Sequence, residues 1–409
     1  MGSAIPDLPI LAEDDSMLSR KFGREIANYF SGSPLNRVSF LRTDYGFIRA
    51  AFAHPKAAFL LMDNLSPLVK DPANLTYVAR DVVVPLTGEE PFKESEQEQI
   101  KDFNSAVTRP VVLFLGIDEK QSDDFKYRDY RGKPYFAVDV TPKGTTADKA
   151  KSIIDSVKAT GVSFIDGRRL MSLNAPDAAI YAEARSLLDW NARNPFCGGC
   201  GQPTMSINAG WKRVCPPSDL AVAGEDGAPK ERADCPTRHG ISNLCFPRTD
   251  PTVIMAIVSA NGTKLLLGRN KRFPPQWYST LAGFLEPGES IEEAVRRETW
   301  EESGVTVGRV VIHSSQPWPL PANLMIGAIG QAVPGGETIH LGHDEELDDA
   351  KWYTMDEVRE ALANGVSGLG DPAPPGYKEG GLRLPPQIAI ANQLIQAVLN
   401  DFLGAVPKI

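Results

Sequence analysis

An α+β chain of two or three domains is the architecture that the sequence predicts, on three observations. The 409 residues exceed what a single hydrophobic core ordinarily organises. Short β-branched and aromatic runs alternate with stretches of helical periodicity in both halves. Between those halves, all five cysteines fall from Cys197 to Cys245, which marks a small unit of its own.

Composition bounds the function class. Hydrophobic residues make up 42% of the chain, enough to fill cores, and no apolar run approaches bilayer length. A formal net charge of −9 gives no general electrostatic reason to hold a polyanion, and leaves room only for one short RNA end at a basic rim.

Taken in order, residues 1 to about 30 read as a tail with a short helix. Strands are expected over 38–43, 57–62 (AAFLLM), 111–117 (VVLFLGI) and 135–140 (YFAVDV), with a charged, helix-like surface segment over 87–107. Ile153, Ile154 and Val157 then line a helix before Gly161. A second helix starts after Asn174 with Pro176 in its first turn, and carries Ile180, Ala184, Leu187 and Leu188 on one face. No catalytic constellation appears here, so this domain is expected to serve in support, oligomerisation or shaping of the pocket, with a second enzymatic activity as the alternative.

In the cysteine unit, Cys197 and Cys200 form C-x2-C with glycines that let backbone amides fold around a metal thiolate, and Cys215 follows. A third cysteine and the lack of a βαβ setting favour a structural zinc ribbon over a redox pair. Cys235 is the expected fourth ligand, with His239 as the alternative. Cys245 reads as a buried thiol.

The last unit opens with strands over 252–258 and 264–269 around Asn261-Gly262, a hairpin turn signal. WYSTLAGF leads into a helix that Ser290 and Glu293 begin as a capping box and Gly304 ends. At about 100° per residue, Ile291, Ala294 and Val295 form an apolar stripe that Glu298, Glu301 and Glu302 continue. Anions in a last helical turn oppose the macrodipole, so something cationic must compensate them. Hard carboxylate oxygens without histidine or thiolate suit magnesium or manganese. Downstream, three prolines stiffen the run around Trp318. A Gly/Pro-rich segment over 364–384 is long enough for a lid, and Ala391, Leu394, Ile395, Val398 and Phe402 share one face of a terminal helix.

Gly283, Glu289, Arg297, Glu298, Glu301, Glu302, Gly304 and Val305 match the Nudix box, with Thr299 in its first aliphatic slot. Together with the cysteine arrangement and SQPWPLP over 315–321, the chain resembles the NADH pyrophosphatase branch of the Nudix hydrolases. The resemblance implies a divergent Nudix-like domain over 30–192, a zinc ribbon with an insertion over 193–247, and a catalytic α/β/α sandwich over 248–404. It also implies metal ligation by Glu298, Glu301, Glu302 and Glu346, with Glu302 as first choice of base, and a Glu289–Arg297 ion pair in support. Phe284, Gln316, Trp318, Asn323, Met325 and Ala391 fall at the substrate-pocket positions. Leu320 and Asn323 depart from the family pattern, as does the insertion before Cys235.

The activity so implied is hydrolysis of the pyrophosphate of NADH or NAD to nicotinamide mononucleotide and AMP. Removal of NAD caps from RNA by the same chemistry is the alternative, beside another dinucleotide such as a diadenosine polyphosphate. A non-enzymatic zinc-ribbon interaction module is the competing class, against which the complete carboxylate set stands. A homodimer is expected, and the C-terminal Pro-Lys-Ile suggests a peroxisomal address, with the cytoplasm as the other location.

Overall fold

The computed structural model describes residues 6–9, 16–22, 25–121, 125–223, 229–240, 242–343 and 345–400. Phe402 and the Pro-Lys-Ile end therefore lie outside the described residues. Two compact units emerge: one comprises Ser33–Arg248 with Pro319–Pro321, the other Met1–Gly32, Thr249–Trp318 and Ala322–Ile409. The cysteine segment clusters with the N-terminal domain, and the described residues before Gly32 cluster with the C-terminal one. Among the described residues, no helix is long and apolar enough to cross a membrane.

In the first unit, Ala58–Asp63 pairs in parallel with Lys133–Asp139, which pairs antiparallel with Val112–Asp118. They belong to a seven-stranded sheet whose strand order Val112–Asp118 ends. Phe47, Phe52, Phe59, Phe114 and Phe136 interlock at its core through edge and stacked contacts. The strand expected over 38–43 is absent. Val38 takes a left-handed conformation and Ser39–Leu41 form a 3-10 turn. The β propensity of Val38 and Phe40 yields here to packing, because Val38 and Leu41 turn into the aromatic core.

Helix Ala175–Arg193 begins where expected, with the Asn174 side chain accepting from the Asp177 amide. On it, Glu183 is 7% exposed. Burial pushes its carboxyl up to about 7, against the opposing pull of Arg37 and Arg42. A raised folded-state pKa adds stability below the unfolded value and loses it as pH climbs through the folded one. Glu183→Gln is therefore expected to remove a loss of about 3 kcal/mol between roughly pH 4.5 and 7. Urea denaturation across that range checks it, and an unchanged pH slope would contradict it.

The second unit is a six-stranded mixed sheet between helices. Its elements are β1 (Asp250–Val258), β2 (Lys264–Asn270), β3 (Leu281–Phe284), α1 (Ile291–Ser303), β4 (Val307–Trp318), β5 (Asn323–Ala332), β6 (Leu347–Thr354), α2 (Met355–Asn364) and α3 (Ile390–Leu399). Strand order is β4-β5-β1-β2-β6, with β3 on β1, and β1 and β5 run parallel. Side chains alternate faces along a strand. Thus Val253, Met255 and Ile257 pack with Ala294 and Val295 of α1. Ile254, Ala256 and Val258 pack with Leu394 and Ile395 of α3 and Val358 of α2. Covered on both faces, β1 can be a continuous apolar run.

The stiff run expected around Trp318 is mostly strand: β4 extends through Trp318, and only residues 319–322 connect it to β5, with Leu320–Pro321 cis. The segment over 364–384 is tied down. Trp277 Nε1 donates to the Ser367 carbonyl at 3.2 Å, and Arg383 Nη2 donates to Ser367 Oγ and the Asp371 carbonyl at 2.7 and 2.6 Å.

Candidate active site

Helix α1 starts from a reciprocal capping box, Ser290 Oγ accepting from the Glu293 amide and Glu293 from the Ser290 amide, and stops at Gly304 with φ 73°. Those two ends fix which residues point at β3. Arg297 is the cation that the glutamates need. It chelates Glu289 through Nε and Nη2 at 2.6 and 2.8 Å, and reaches Glu298 and Glu301 through Nη1 at 2.8 and 2.9 Å. Nη2 also holds the Phe284 carbonyl at 2.8 Å. The Glu289–Arg297 pair was expected, but the extension to Glu298 and Glu301 was not. The signal for it was the i,i+4 spacing of Arg297 and Glu301.

The charges remain unbalanced. Hydrogen bonding to Arg297 holds Glu289 down to about 2. Glu298 goes the other way: burial raises its carboxyl, Arg297 opposes this, and the charges of Glu301 and Glu346 raise it further. One guanidinium thus serves three carboxylates, with Glu346 exposed close by and Glu302, 5% exposed, in the next turn. Among the described residues these glutamates do not reach metal-ligating spacing as a group, and Arg297 engages two of them. Hard oxygen donors with surplus negative charge fit a divalent cation.

Gly283 explains why the box opens with glycine. A Cβ there would stand 2.0 Å from Glu298 Cδ, since the carboxylate lies against the bare backbone of β3. Gly283→Ala is therefore expected to displace Glu298 and lower turnover at least about tenfold, a misplacement effect. Steady-state kinetics beside a thermal melt test this, and wild-type kcat would contradict it.

The pocket residues align across the sheet. Register places Phe284 beside Thr252, Thr252 beside Met325 and Met325 beside Gln316, with Asn323 beside Trp318. Phe284, at the head of this row, is 56% exposed and follows Gly283 directly, so the row meets the glutamates at β3. Asn323 donates to Thr252 Oγ1 at 3.2 Å, and its buried Oδ1 has no protein partner. Met325 and Ala391 pack in the α3-side core, and Trp318 meets the Phe30 ring edge-on at 5.9 Å.

Gln316 takes a different task from the substrate contact expected of it. It is 1% exposed, and its Nε2 donates to the carbonyls of Tyr29 and Ile388 at 3.0 and 2.8 Å. Its Oε1 accepts from the Ile390 amide at 3.0 Å. Both donors are committed, so Gln316 ties β4 to the start of α3 and to the chain before Gly32. Gln316→Ala is expected to destabilise this unit by about 2–4 kcal/mol, because three buried backbone groups lose their partners. Denaturant titration measures that, and an effect below about 1 kcal/mol would contradict it.

In the first unit, the sulfurs of Cys197, Cys200, Cys215 and Cys235 all lie within 4.8 Å of one another. The Gly199 amide donates to Cys197 Sγ at 3.4 Å and Arg238 Nη2 to Cys215 Sγ at 3.5 Å. Burial raises the Cys197 thiol, but donors including Thr237 and the Gly199 amide outweigh it and bring it down to about 6. Four soft ligands, one of them poised as thiolate, fit tetrahedral zinc. His239 stands apart, exposed and paired with Asp234 at 2.7 Å. Cys245 is buried outside the quartet, with Sγ 3.7 Å from the Thr237 carbonyl.

Comparison with known proteins joins these centres. Residues 56–190 match the NADH pyrophosphatase-like rudimentary NUDIX domain, 192–222 the NADH pyrophosphatase zinc ribbon domain and 248–370 the NUDIX domain. An NAD-capped RNA hydrolase of Schizosaccharomyces pombe is 36% identical over 92% of this chain and 93% of its own. The chain belongs to the NADH pyrophosphatase family of zinc-ribbon-containing Nudix hydrolases. This Nudix hydrolase is also 34% identical to the NAD-capped RNA hydrolase NUDT12 of Homo sapiens, over 91% of this chain and 73% of that one. The mitochondrial NAD(P)H pyrophosphatase NUDT13 of Mus musculus is 31% identical over 84% of each chain. Membership in a Nudix family implies dependence on a divalent metal.

Proposed function

We propose that this Nudix hydrolase cuts the pyrophosphate of a nicotinamide adenine dinucleotide carried as the 5′ cap of an RNA. It releases nicotinamide mononucleotide and leaves a 5′-monophosphate RNA. Free NADH or NAD, ranked first on the sequence alone, becomes the second reading, with AMP as the other product. What reverses the order is the near full-length likeness to proteins named NAD-capped RNA hydrolases, at higher identity than to the NAD(P)H pyrophosphatase.

Glu298, Glu301, Glu302 and Glu346 are the residues that would hold the divalent cation, magnesium or manganese. When bound, such an ion neutralises the diphosphate and lowers the pKa of a water. Glu302 would accept the proton of the water that attacks phosphorus, and the bridging oxygen leaves with the departing nucleoside monophosphate. Arg297 positions Glu298 and Glu301, and Gly283 lets Glu298 lie against β3. The exposed ring of Phe284 offers a face for a flat heterocycle beside the glutamates. A homodimer and a peroxisomal location belong to the same reading, on the family resemblance and on Pro-Lys-Ile respectively.

The test is product release from NADH, NAD and an NAD-capped oligoribonucleotide, each with magnesium and with manganese. The capped substrate is expected to give the highest kcat/KM. A clear preference for free NADH would restore the second reading.

A further inference from the structure

The outer face of α1 carries a group of rings that the reaction does not use. Trp300 is 46% exposed, and the His343 ring stacks on its indole with centroids 4.1 Å apart and planes at 23°. His340 meets His343 edge-on at 4.7 Å. All three residues are exposed, so burial in a core does not account for their contact.

Cations flank the rings. Arg296 sits one turn before Trp300 and donates from Nη1 to the Gly308 carbonyl at 3.2 Å, which sets it beside exposed Arg309. Among the described residues neither guanidinium forms an ion pair, and Glu289, Glu298 and Glu301 pair with Arg297 instead. Aromatic faces bordered by unpaired guanidiniums suit single-stranded nucleic acid, because rings stack on bases of any sequence and cations take the phosphates. Trp300 directly precedes Glu301 but points about 100° further round the helix, so the surface flanks the reaction centre and does not line it.

We propose that Trp300, His343 and His340, with Arg296 and Arg309, form a stacking platform for the first nucleotides of a capped RNA beyond the scissile pyrophosphate. The assignment rests on the reading of the chain as a decapping hydrolase and identifies what would separate its two substrates. Free NADH ends at its adenosine, whereas a capped RNA continues from that adenosine onto the platform.

Hydrolysis of NADH and of an NAD-capped oligoribonucleotide is compared for the wild type, Trp300→Ala, Trp300→Phe and the double variant Arg296→Ala/Arg309→Ala. Trp300→Ala is expected to lower kcat/KM on the capped oligonucleotide roughly tenfold while NADH stays within about twofold, and Trp300→Phe to recover most of the loss. The double variant should weaken the capped substrate alone and flatten its salt dependence. Equal losses on both substrates, or none on either, overturn the platform and leave the decapping reading standing. A wild-type enzyme active on NADH and inert on the capped oligonucleotide overturns the decapping reading and the platform together. Sedimentation supplies the last arm: a wild-type oligomer that Trp300→Ala dissociates would give this face to a second copy of the chain and overturn the nucleotide assignment.

Discussion

Glu302→Gln is expected to lower turnover by about 10²–10⁴-fold on whichever dinucleotide the enzyme prefers, and to leave the melting temperature close to wild type. Glu302 lies in the last turn of α1 at 5% exposure, where the helix macrodipole disfavours an anion. A carboxylate placed there adds little to stability by itself, and the amide that replaces it keeps the same shape. What the amide loses is the capacity to take a proton, so the effect should fall on kcat more than on KM. Near-normal turnover would remove Glu302 from the role of base. A comparable deficit in Glu298→Gln with Glu302→Gln unaffected would pass the role to Glu298, whose burial already raises its carboxyl.

Much of this site was legible because its determinants are local. The capping box at Ser290, the left-handed Gly304 and the stripe of Ile291, Ala294 and Val295 are read within one helix, and the structure places each as the spacing predicts. The cysteine quartet was legible for a chemical reason: thiols confined to one segment of a chain without disulfides have few other uses. Partners distant in sequence were not. No local pattern shows that Gln316 gives its amide to Tyr29 and Ile388, nor that Gly283 is small because Glu298 lies on it. The short run at 38–43 misled for the opposite reason, since its β propensity is real but the core around Val38 and Leu41 decides its backbone. The motif names the reaction from nearby residues, while specificity depends on strands and loops that the fold brings together.

Removal of metal from the cysteine quartet should produce the largest structural effect in the molecule. The Cys197–Cys235 and Cys200–Cys215 sulfur pairs stand 3.6 and 3.5 Å apart, beyond the bonding distance of about 2.05 Å for a disulfide. Around them the segment is also held to its own unit: Met205, Ile207 and Val214 pack with Phe103, Arg213 bonds Thr204 and Asn191, and Arg232 pairs with buried Asp219. Met205–Ile207 and Lys212–Val214 form a hairpin of three residues a strand, and two-stranded hairpins are marginal in water. Zinc in isolated finger peptides contributes about 10–16 kcal/mol of apparent binding free energy. A chelator strong enough to take it should therefore loosen the backbone around the four sulfurs and open it to protease, while the α1 glutamates, in a separate compact unit, keep their fold. Cys235→Ala should reproduce this without chelator, since three sulfurs leave the tetrahedron open. One zinc per chain, four thiols protected until chelation and a new cleavage in that segment are the expected results. If all four thiols react freely in the native protein, the quartet is not a metal centre and the hairpin is held by other means.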